Sequence, residues 1–229
     1  MKLILKQLRW IPVNFEYLSR VLYSPVISDA LDELGIYNHA LPSYILPINP
    51  DYVVMGYAYP MYVGEANDPN PDNPYEGLIE AVDAVPEDSV IVIEVEETIR
   101  GRTAVWGELT STAAMARGAR GVVVHGLIRD VNQVLRLGFP VFAVGKTPYD
   151  IKGRGEFKGH GIEVTVGDVR VKVGDLVFGD INGVVIVPKE VMSEVINRAI
   201  EKVNRESTAK SELRRGAYLK DIWGKYKVL

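Results

Sequence analysis

Two short segments carry side chains that can do chemistry together, Glu108 to Ser111 and Arg129 to Asp130. Each leads into a helical pattern at the end of a βα element, so each offers free backbone N–H groups as well as side chains. The first turn of a helix has unpaired donors and a partial positive charge, and the amides near Leu109 and Thr110 can therefore receive the carboxylate of a small acid. Arg129 adds a planar, permanently charged fork suited to the same carboxylate. Asp130 can hold a hard divalent cation, since Mg²⁺ takes one or two protein carboxylates and keeps waters for the rest. Glu108 can orient those waters. Each residue also has a plainer use. An aspartate directly before Val131 is a helix cap, Arg129 is a surface ion-pair partner, and Glu108 is a first-turn acid complementing the helix dipole. On the residues alone, both readings stand.

The elements that must position these groups are legible from periodicity. Gly107 to Gly118 predicts a helix closed by a C-terminal glycine, Val122 to Val124 a buried strand, Gly126 to Asp130 a loop, Val131 to Leu137 a short helix, and Val141 to Val144 another strand. That alternation predicts parallel pairing. Upstream, Ser24 to Gly35 reads as a short amphipathic helix, Tyr52 to Tyr62 as a strand, Ala66 to Pro74 as a loop broken by prolines and asparagines, Leu78 to Val85 as a helix, and Val90 to Val95 as a buried strand. Downstream, Lys152 to Gly161 reads as a Gly-rich charged loop. Ile162 to Val187 follows as short Val-rich strands joined at Gly167-Asp168, Gly174-Asp175 and Asn182-Gly183. Lys189 to Arg215 predicts one long helix with Val191, Val195, Ala199 and Val203 on its apolar stripe. The stripe thins beyond Val203, so the distal helix and tail are expected to pack on a neighbouring subunit.

Bulk properties exclude several classes of function. The 229 residues, 47% apolar and 24% charged, suit a single core. Cysteine is absent, which removes disulfides and thiolate chemistry and agrees with a reducing cytoplasm. No stretch approaches the roughly 18 apolar residues of a membrane span, and Met1 to Pro12 holds no signal-peptide run. A net charge of −4 leaves no positive field for a phosphate backbone, so nucleic acid is not an expected partner. Gly145-Lys146-Thr147 is no phosphate loop, because Pro140 stands where that motif needs its first glycine. Gly153, Gly155 and Gly159 precede a strand instead of joining one to a helix, and so fail as a dinucleotide fingerprint. His39, His125 and His160 lack metal-ligand spacing. His125, at a strand end, reads as a structural histidine.

The runs GELTSTAAMARGARGVVVHGLIRDV and LRLGFPVFAVG, with ISDALDELG before them and GDLVFGDINGVVIVP after, resemble the family shared by 4-hydroxy-4-methyl-2-oxoglutarate aldolases and the regulator of ribonuclease activity A. The likeness runs from Ser24 to the tail. It implies an α/β fold of the swivelling β/β/α, phosphohistidine-domain-like type. The core would occupy residues 1–188, with a C-terminal helix and tail over 189–229, assembled as trimers or paired trimers with sites at subunit boundaries. Carried over by position, Arg129 would bind the carboxylate of a small 2-oxo acid, helped by Gly107, Leu109 and Thr110. Asp130 would ligate Mg²⁺ or Mn²⁺. Glu108, 21 positions before the arginine, would contact the metal through water, and Glu206 would do so from a neighbouring subunit. The implied reaction is retro-aldol cleavage of a 4-hydroxy-2-oxo acid to pyruvate, with the metal as Lewis acid, water as proton carrier and oxaloacetate decarboxylation as a side activity. The alternative in the same family is a regulator that docks on a ribonuclease with little catalysis. The resemblance gives no support to a menaquinone methyltransferase, since no Gly-rich nucleotide loop follows the early strands. The chain departs from the family aldolases in two places: Gln133 stands where they carry an acid three positions after the metal aspartate, and His125 where they tend to carry aspartate.

Overall fold

The computed structural model describes residues 14–228; the reading of Met1 to Pro12 lies outside them. In chain order the elements are helices α1 (Phe15–Val21) and α2 (Ser24–Asp32), strands β1 (Leu46–Pro47) and β2 (Val54–Glu65), α3 (Glu76–Asp83), β3 (Ser89–Val95), α4 (Glu97–Arg100), β4 (Ala104–Trp106), α5 (Glu108–Ala116), β5 (Gly121–Ile128), α6 (Val131–Leu137) and β6 (Val141–Lys146). A mostly β section follows, β7 (Gly155–His160), β8 (Val164–Val166), β9 (Val169–Val171), β10 (Leu176–Asp180) and β11 (Gly183–Val187), before helices α7 (Met192–Arg214) and α8 (Leu219–Tyr226).

Strands β2, β3, β5 and β6 run parallel, as the βαβ pattern predicts, with β4 also parallel to β5. Antiparallel β10 and β11 extend the β2 edge, and β1 extends the β6 edge. One segment links the two edges. Ala40 bridges Val185 of β11, while Leu46 and Pro47, a few residues on, pair with β6. The result is a mixed α/β domain whose sheet nearly closes into a barrel.

Alternation along the strands fills three layers at once, because successive side chains point to opposite faces. Val90 and Val92 of β3, Val123 of β5, Val177 of β10 and Val184 and Ile186 of β11 pack together inside the barrel. Ile91, Ile93 and Val95, with Val122 and Val124, face outward under α3, α5 and α6. Leu176, Phe178, Val185 and Val187 face α1, α2 and α7. The doubly buried strands therefore read as continuous apolar runs.

Two segments differ from the sequence reading. Gly155 to His160, expected as loop, is β7, antiparallel to the far half of β2. β2 is twelve residues long, and its pairing with β10 ends at Tyr57, leaving backbone groups beyond it that β7 satisfies. Gly126 to Ile128, also expected as loop, continues β5. At the C-terminus, Met192, Val195 and Ala199 of α7 pack into one buried cluster with residues of α1 and α2. Beyond it the tail folds back as α8, burying Ile222 and Val228 on Ala209 and Leu213 of α7. The remaining face of α8 carries exposed Leu219 and Trp223.

Candidate functional site

The carboxyl ends of β4, β5 and β6 lie side by side, and in open parallel arrangements ligands bind at such ends. From them come Gly107 and α5, then Arg129, Asp130 and α6, then the segment 147–151. Between these elements lies a small cleft of about 80 Å³, open to solvent and lined by Tyr75, Leu78, Trp106, Gly107 to Thr110, Arg129, Asp130, Asp150 and Ile151. All six residues expected from a single chain, Gly107, Glu108, Leu109, Thr110, Arg129 and Asp130, border this one space.

Trp106 is 2% exposed, and its indole N–H donates to Ser111 Oγ at 2.8 Å. That hydroxyl in turn donates to the Gly107 carbonyl, also at 2.8 Å. The Gly107 amide donates to Thr110 Oγ1 (3.0 Å), whose hydroxyl donates back to the Gly107 carbonyl (2.9 Å). The start of α5 is thus fixed by side chains of its own first turn. Its early amides have no carbonyl a turn before them to bond; that of Glu108 donates to Asp130, and Leu109 and Thr110 border the cleft.

Asp130 corrects the plainer reading of that residue. It precedes α6, but its side chain does not cap that helix; its carbonyl accepts the amides of Gln133 and Val134 instead. Its backbone is left-handed, with φ 55° and ψ 32°, a conformation that costs a non-glycine residue about 1–2 kcal/mol and often marks a functional position. The carboxylate accepts from the Glu108 amide through Oδ2 at 3.3 Å and lies 3.6 Å from Arg129 Nε. Gly107 makes room for it: a Cβ there would come within 2.6 Å of Asp130 Oδ2 and 3.2 Å of Arg129 Cγ.

Arg129 is held from two sides. Its amide donates to the Trp106 carbonyl (2.9 Å), and its guanidinium meets Asp150 Oδ2 at 3.1 Å. The same Asp150 oxygen accepts from the Tyr75 hydroxyl at 2.7 Å. Burial works against the Asp150 charge, but the Tyr75 hydrogen bond and the nearby guanidinium outweigh it, so its pKa lies below the ordinary aspartate value. Bonding to that carboxylate, with some burial, raises the Tyr75 pKa and keeps the phenol a donor. Sequence reading missed Tyr75 and Asp150. They come from a Pro- and Asn-rich loop and an irregular turn, and the one available pointer to Asp150 was its place just after the end of a strand adjoining the Arg129 strand.

The donor set matches a hard cation held by one carboxylate and waters. Among the described residues no three His, Cys, Asp or Glu side chains converge, so a closed zinc-type cage is absent. Asp130 Oδ1 takes no hydrogen bond among the described residues, and the carboxylate is 38% exposed toward the cleft, a state open to Mg²⁺ or Mn²⁺. Glu206 lies elsewhere on its own chain, on α7, where it accepts from the Tyr23 hydroxyl and pairs with Lys210 at 3.0 Å. Burial alone would raise its pKa; those two partners bring it below the ordinary value.

All three histidines have structural partners. His39 joins Ser28 to the Ile36 carbonyl, His160 bonds Tyr59, and His125 bonds Glu94 at 2.6 Å and Tyr44 at 3.0 Å.

The model of a family described as RraA-like, Aldolase/RraA, matches residues 24–186. Protein DlpA of Legionella pneumophila is 31% identical over 86% of this chain, although the match spans only 31% of DlpA, under a third of its length. A protein of Halalkalibacterium halodurans named "Putative 4-hydroxy-4-methyl-2-oxoglutarate aldolase" is 31% identical over 83% of this chain and 84% of its own. Streptomyces coelicolor RraAS2, described as an unusual member of the RNase ES inhibitor RraA protein family, superposes with a TM-score of 0.76 over 86% of this chain and 96% of its own. At 24% identity that likeness shows the shared fold alone.

Proposed function

This chain belongs to the RraA-like family, and on that premise we propose that it is a divalent-metal-dependent aldolase that cleaves 4-hydroxy-2-oxo acids to pyruvate and a carbonyl product. The observation that carries the reading is the single cleft shared by the Arg129 guanidinium, the left-handed Asp130 and the N-terminus of α5. The name of the H. halodurans relative points to the same reaction class.

In this reading Arg129 and the Leu109 and Thr110 amides hold the C1 carboxylate of the substrate, a fork and a helix N-terminus acting on one anion. Asp150 and Tyr75 keep the fork pointed into the cleft. Asp130 would hold Mg²⁺ or Mn²⁺ directly, and Glu108 would do so through water. When bound, the cation supplies Lewis acidity at the 2-oxo group. The C3–C4 bond breaks, its electron pair passes into the pyruvate enolate, and the C4 hydroxyl proton goes to a water oriented by Glu108 and Asp130. The same route returns a proton to C3. No lysine is needed for a Schiff base. Oxaloacetate decarboxylation proceeds through the same enolate and belongs to the proposal as a side activity. So do assembly into trimers or paired trimers, Glu206 reaching a neighbour's site, the tail packing on that neighbour, and the grouping with swivelling phosphohistidine-type domains.

The test is pyruvate release from 4-hydroxy-4-methyl-2-oxoglutarate and related 4-hydroxy-2-oxo acids, with and without Mg²⁺, for the wild type and Asp130→Ala. Metal-dependent release abolished in the variant supports the reading, and equal turnover by the two proteins removes it. A chain inert toward every 2-oxo acid yet tightly bound to a ribonuclease is instead a regulator.

A further inference from the structure

One buried titratable pair reaches the surface without taking part in the cleft. His125 of β5 is 2% exposed and Glu94 of β3 is 7% exposed. The imidazole Nδ1 meets Glu94 Oε2 at 2.6 Å, and Nε2 meets the Tyr44 hydroxyl at 3.0 Å. Glu94 is anchored in turn, because Arg100 Nη2 donates to its Oε1 at 2.7 Å while Arg100 Nε donates to the Val95 carbonyl at 3.0 Å. A carboxylate paired with a guanidinium accepts hydrogen bonds, so Nδ1 carries the imidazole proton. Nε2 is then an acceptor, and the phenol donates to it. Tyr44 is 51% exposed, the outermost member of the chain. Its place is fixed by the residues after it: Ile45 is fully buried, its amide donating to the Pro42 carbonyl at 2.9 Å, and Leu46 pairs with Ala143. The Tyr44 and His125 rings stack at 27° with centroids 5.8 Å apart. The other titratable groups on that side are Tyr62, Glu96, Glu97 and Glu163, which line a groove with Glu94.

Hydroxyl, imidazole and carboxylate in that order form the relay that activates a serine in hydrolases, and here the relay ends in a phenol. We propose that Tyr44 is a modification site whose hydroxyl takes an acyl group from small activated esters, with His125 as general base and Glu94 holding the imidazole in the accepting tautomer. As Oη attacks the acyl carbon, its proton passes to His125 Nε2. The Oη–C bond forms, the bond from that carbon to the leaving phenoxide or alkoxide breaks, and Nε2 returns the proton to the leaving group or to solvent. The product is a tyrosine ester, and nothing is oxidised or reduced. The site is separate from the strand-end cleft and does not rest on the reaction proposed there.

The experiment treats the full chain with p-nitrophenyl acetate near neutral pH and follows acetylation of each tyrosine by peptide mass spectrometry. Tyr37 and Tyr218, 76% and 78% exposed, are the references, since the imidazole–phenol bonds among the described residues are those of Tyr44 and Tyr59. Tyr44, although less exposed than either, should be acetylated about 100-fold faster, the lower end of what a positioned base contributes. The margin should shrink toward pH ~10, where any phenol ionises. His125→Gln keeps an acceptor within reach of the Tyr44 hydroxyl but has no basic nitrogen, so labelling at Tyr44 should fall to the reference rate. A wild-type margin under about tenfold overturns the proposal, and so does fast labelling that survives in His125→Gln. The margin is measured within one wild-type chain, so it decides the matter even where the variant does not fold.

Discussion

Replacing Gly107 with alanine tests whether the placement of Asp130, and not merely its presence, makes the site. At φ −166° the Gly107 backbone is extended, so alanine meets no torsional penalty there. Its Cβ, however, would come within 2.6 Å of Asp130 Oδ2, about 0.8 Å short of an ordinary contact of 3.4 Å or more. The floor cannot recede, because Gly107 is tied through its amide and carbonyl to Thr110 and Ser111. The exposed carboxylate gives way, by most of that distance. Misplacement near 1 Å at a reacting centre costs on the order of 100-fold in rate, or about 2.7 kcal/mol of transition-state stabilisation. Overpacking at a site with one open side should cost the fold no more than about 1 kcal/mol. Steady-state pyruvate release and thermal unfolding of Gly107→Ala are read beside Gly101→Ala, where an added Cβ meets nothing within 4 Å. The expected pattern is activity lost by about 100-fold only at position 107, with little change in Tm at either. Activity within threefold of wild type at Gly107→Ala would show that the cleft does not depend on where the Asp130 carboxylate sits.

Three further substitutions separate site from scaffold. Asp130→Asn should keep nearly full stability, since asparagine tolerates the left-handed region, whereas Asp130→Ala should lose about 1 kcal/mol in a denaturant titration; both should lose at least about 100-fold in kcat. Tyr75→Phe removes a donor from Asp150, whose folded pKa lies below its unfolded value. The Asp150 charge therefore stabilises the fold above the ordinary aspartate range, and that contribution disappears as pH falls through the lowered folded value. Losing the donor raises the folded value toward the unfolded one, so the acid limb of Tm against pH should be shallower and level off at higher pH in Tyr75→Phe, with about 1 kcal/mol less stability at neutral pH; coincident acid limbs would refute the coupling. Ser111→Ala leaves the buried Trp106 indole N–H without its acceptor and should cost about 1–3 kcal/mol by equilibrium unfolding.

Much of the fold could be read because local pattern and tertiary demand coincide. Val131 to Leu137 is helical over its expected span, and the strand of Val90 to Val95 is apolar on both faces except at Glu94 because it is buried on both. Gly155 to His160 escaped notice for the opposite reason. Its sequence, GEFKGH, shows no alternation and carries two glycines, and it is a strand because the far half of β2 needs a partner. The site divides in the same way. Arg129, Asp130 and the α5 N-terminus come from adjacent βα units and could be paired by position along the chain. Tyr75 and Asp150 are 75 residues apart and meet only when the sheet brings the α3 loop over the end of β6. The turn of Asp130 into the cleft is a backbone property, and a sequence shows an aspartate before a helix in either case.

The two departures from the aldolase pattern of the family fall outside the cleft. His125 sits opposite Glu94 in the parallel β3–β5 register, and both side chains lie on the face that carries Val92 and Val123 into the barrel. There the imidazole is 2% exposed, and Glu94 is held on its other side by Arg100 at 2.7 Å. An aspartate at position 125 would set two carboxylates against each other across the pair, which is unfavourable, so histidine is the residue that Glu94 requires. This exchange belongs to the barrel interior, on the opposite face of β5 from the helices, and it leaves the carboxylates at the strand ends as they were. Gln133, in turn, is a half-buried residue in the first turn of α6 whose amide bonds the Asp130 carbonyl, and it does not line the cleft. Among the described residues the acids that line the cleft are Glu108, Asp130 and Asp150, and their geometry is set by Gly107, Tyr75 and a left-handed backbone instead of by an acidic side chain on α6.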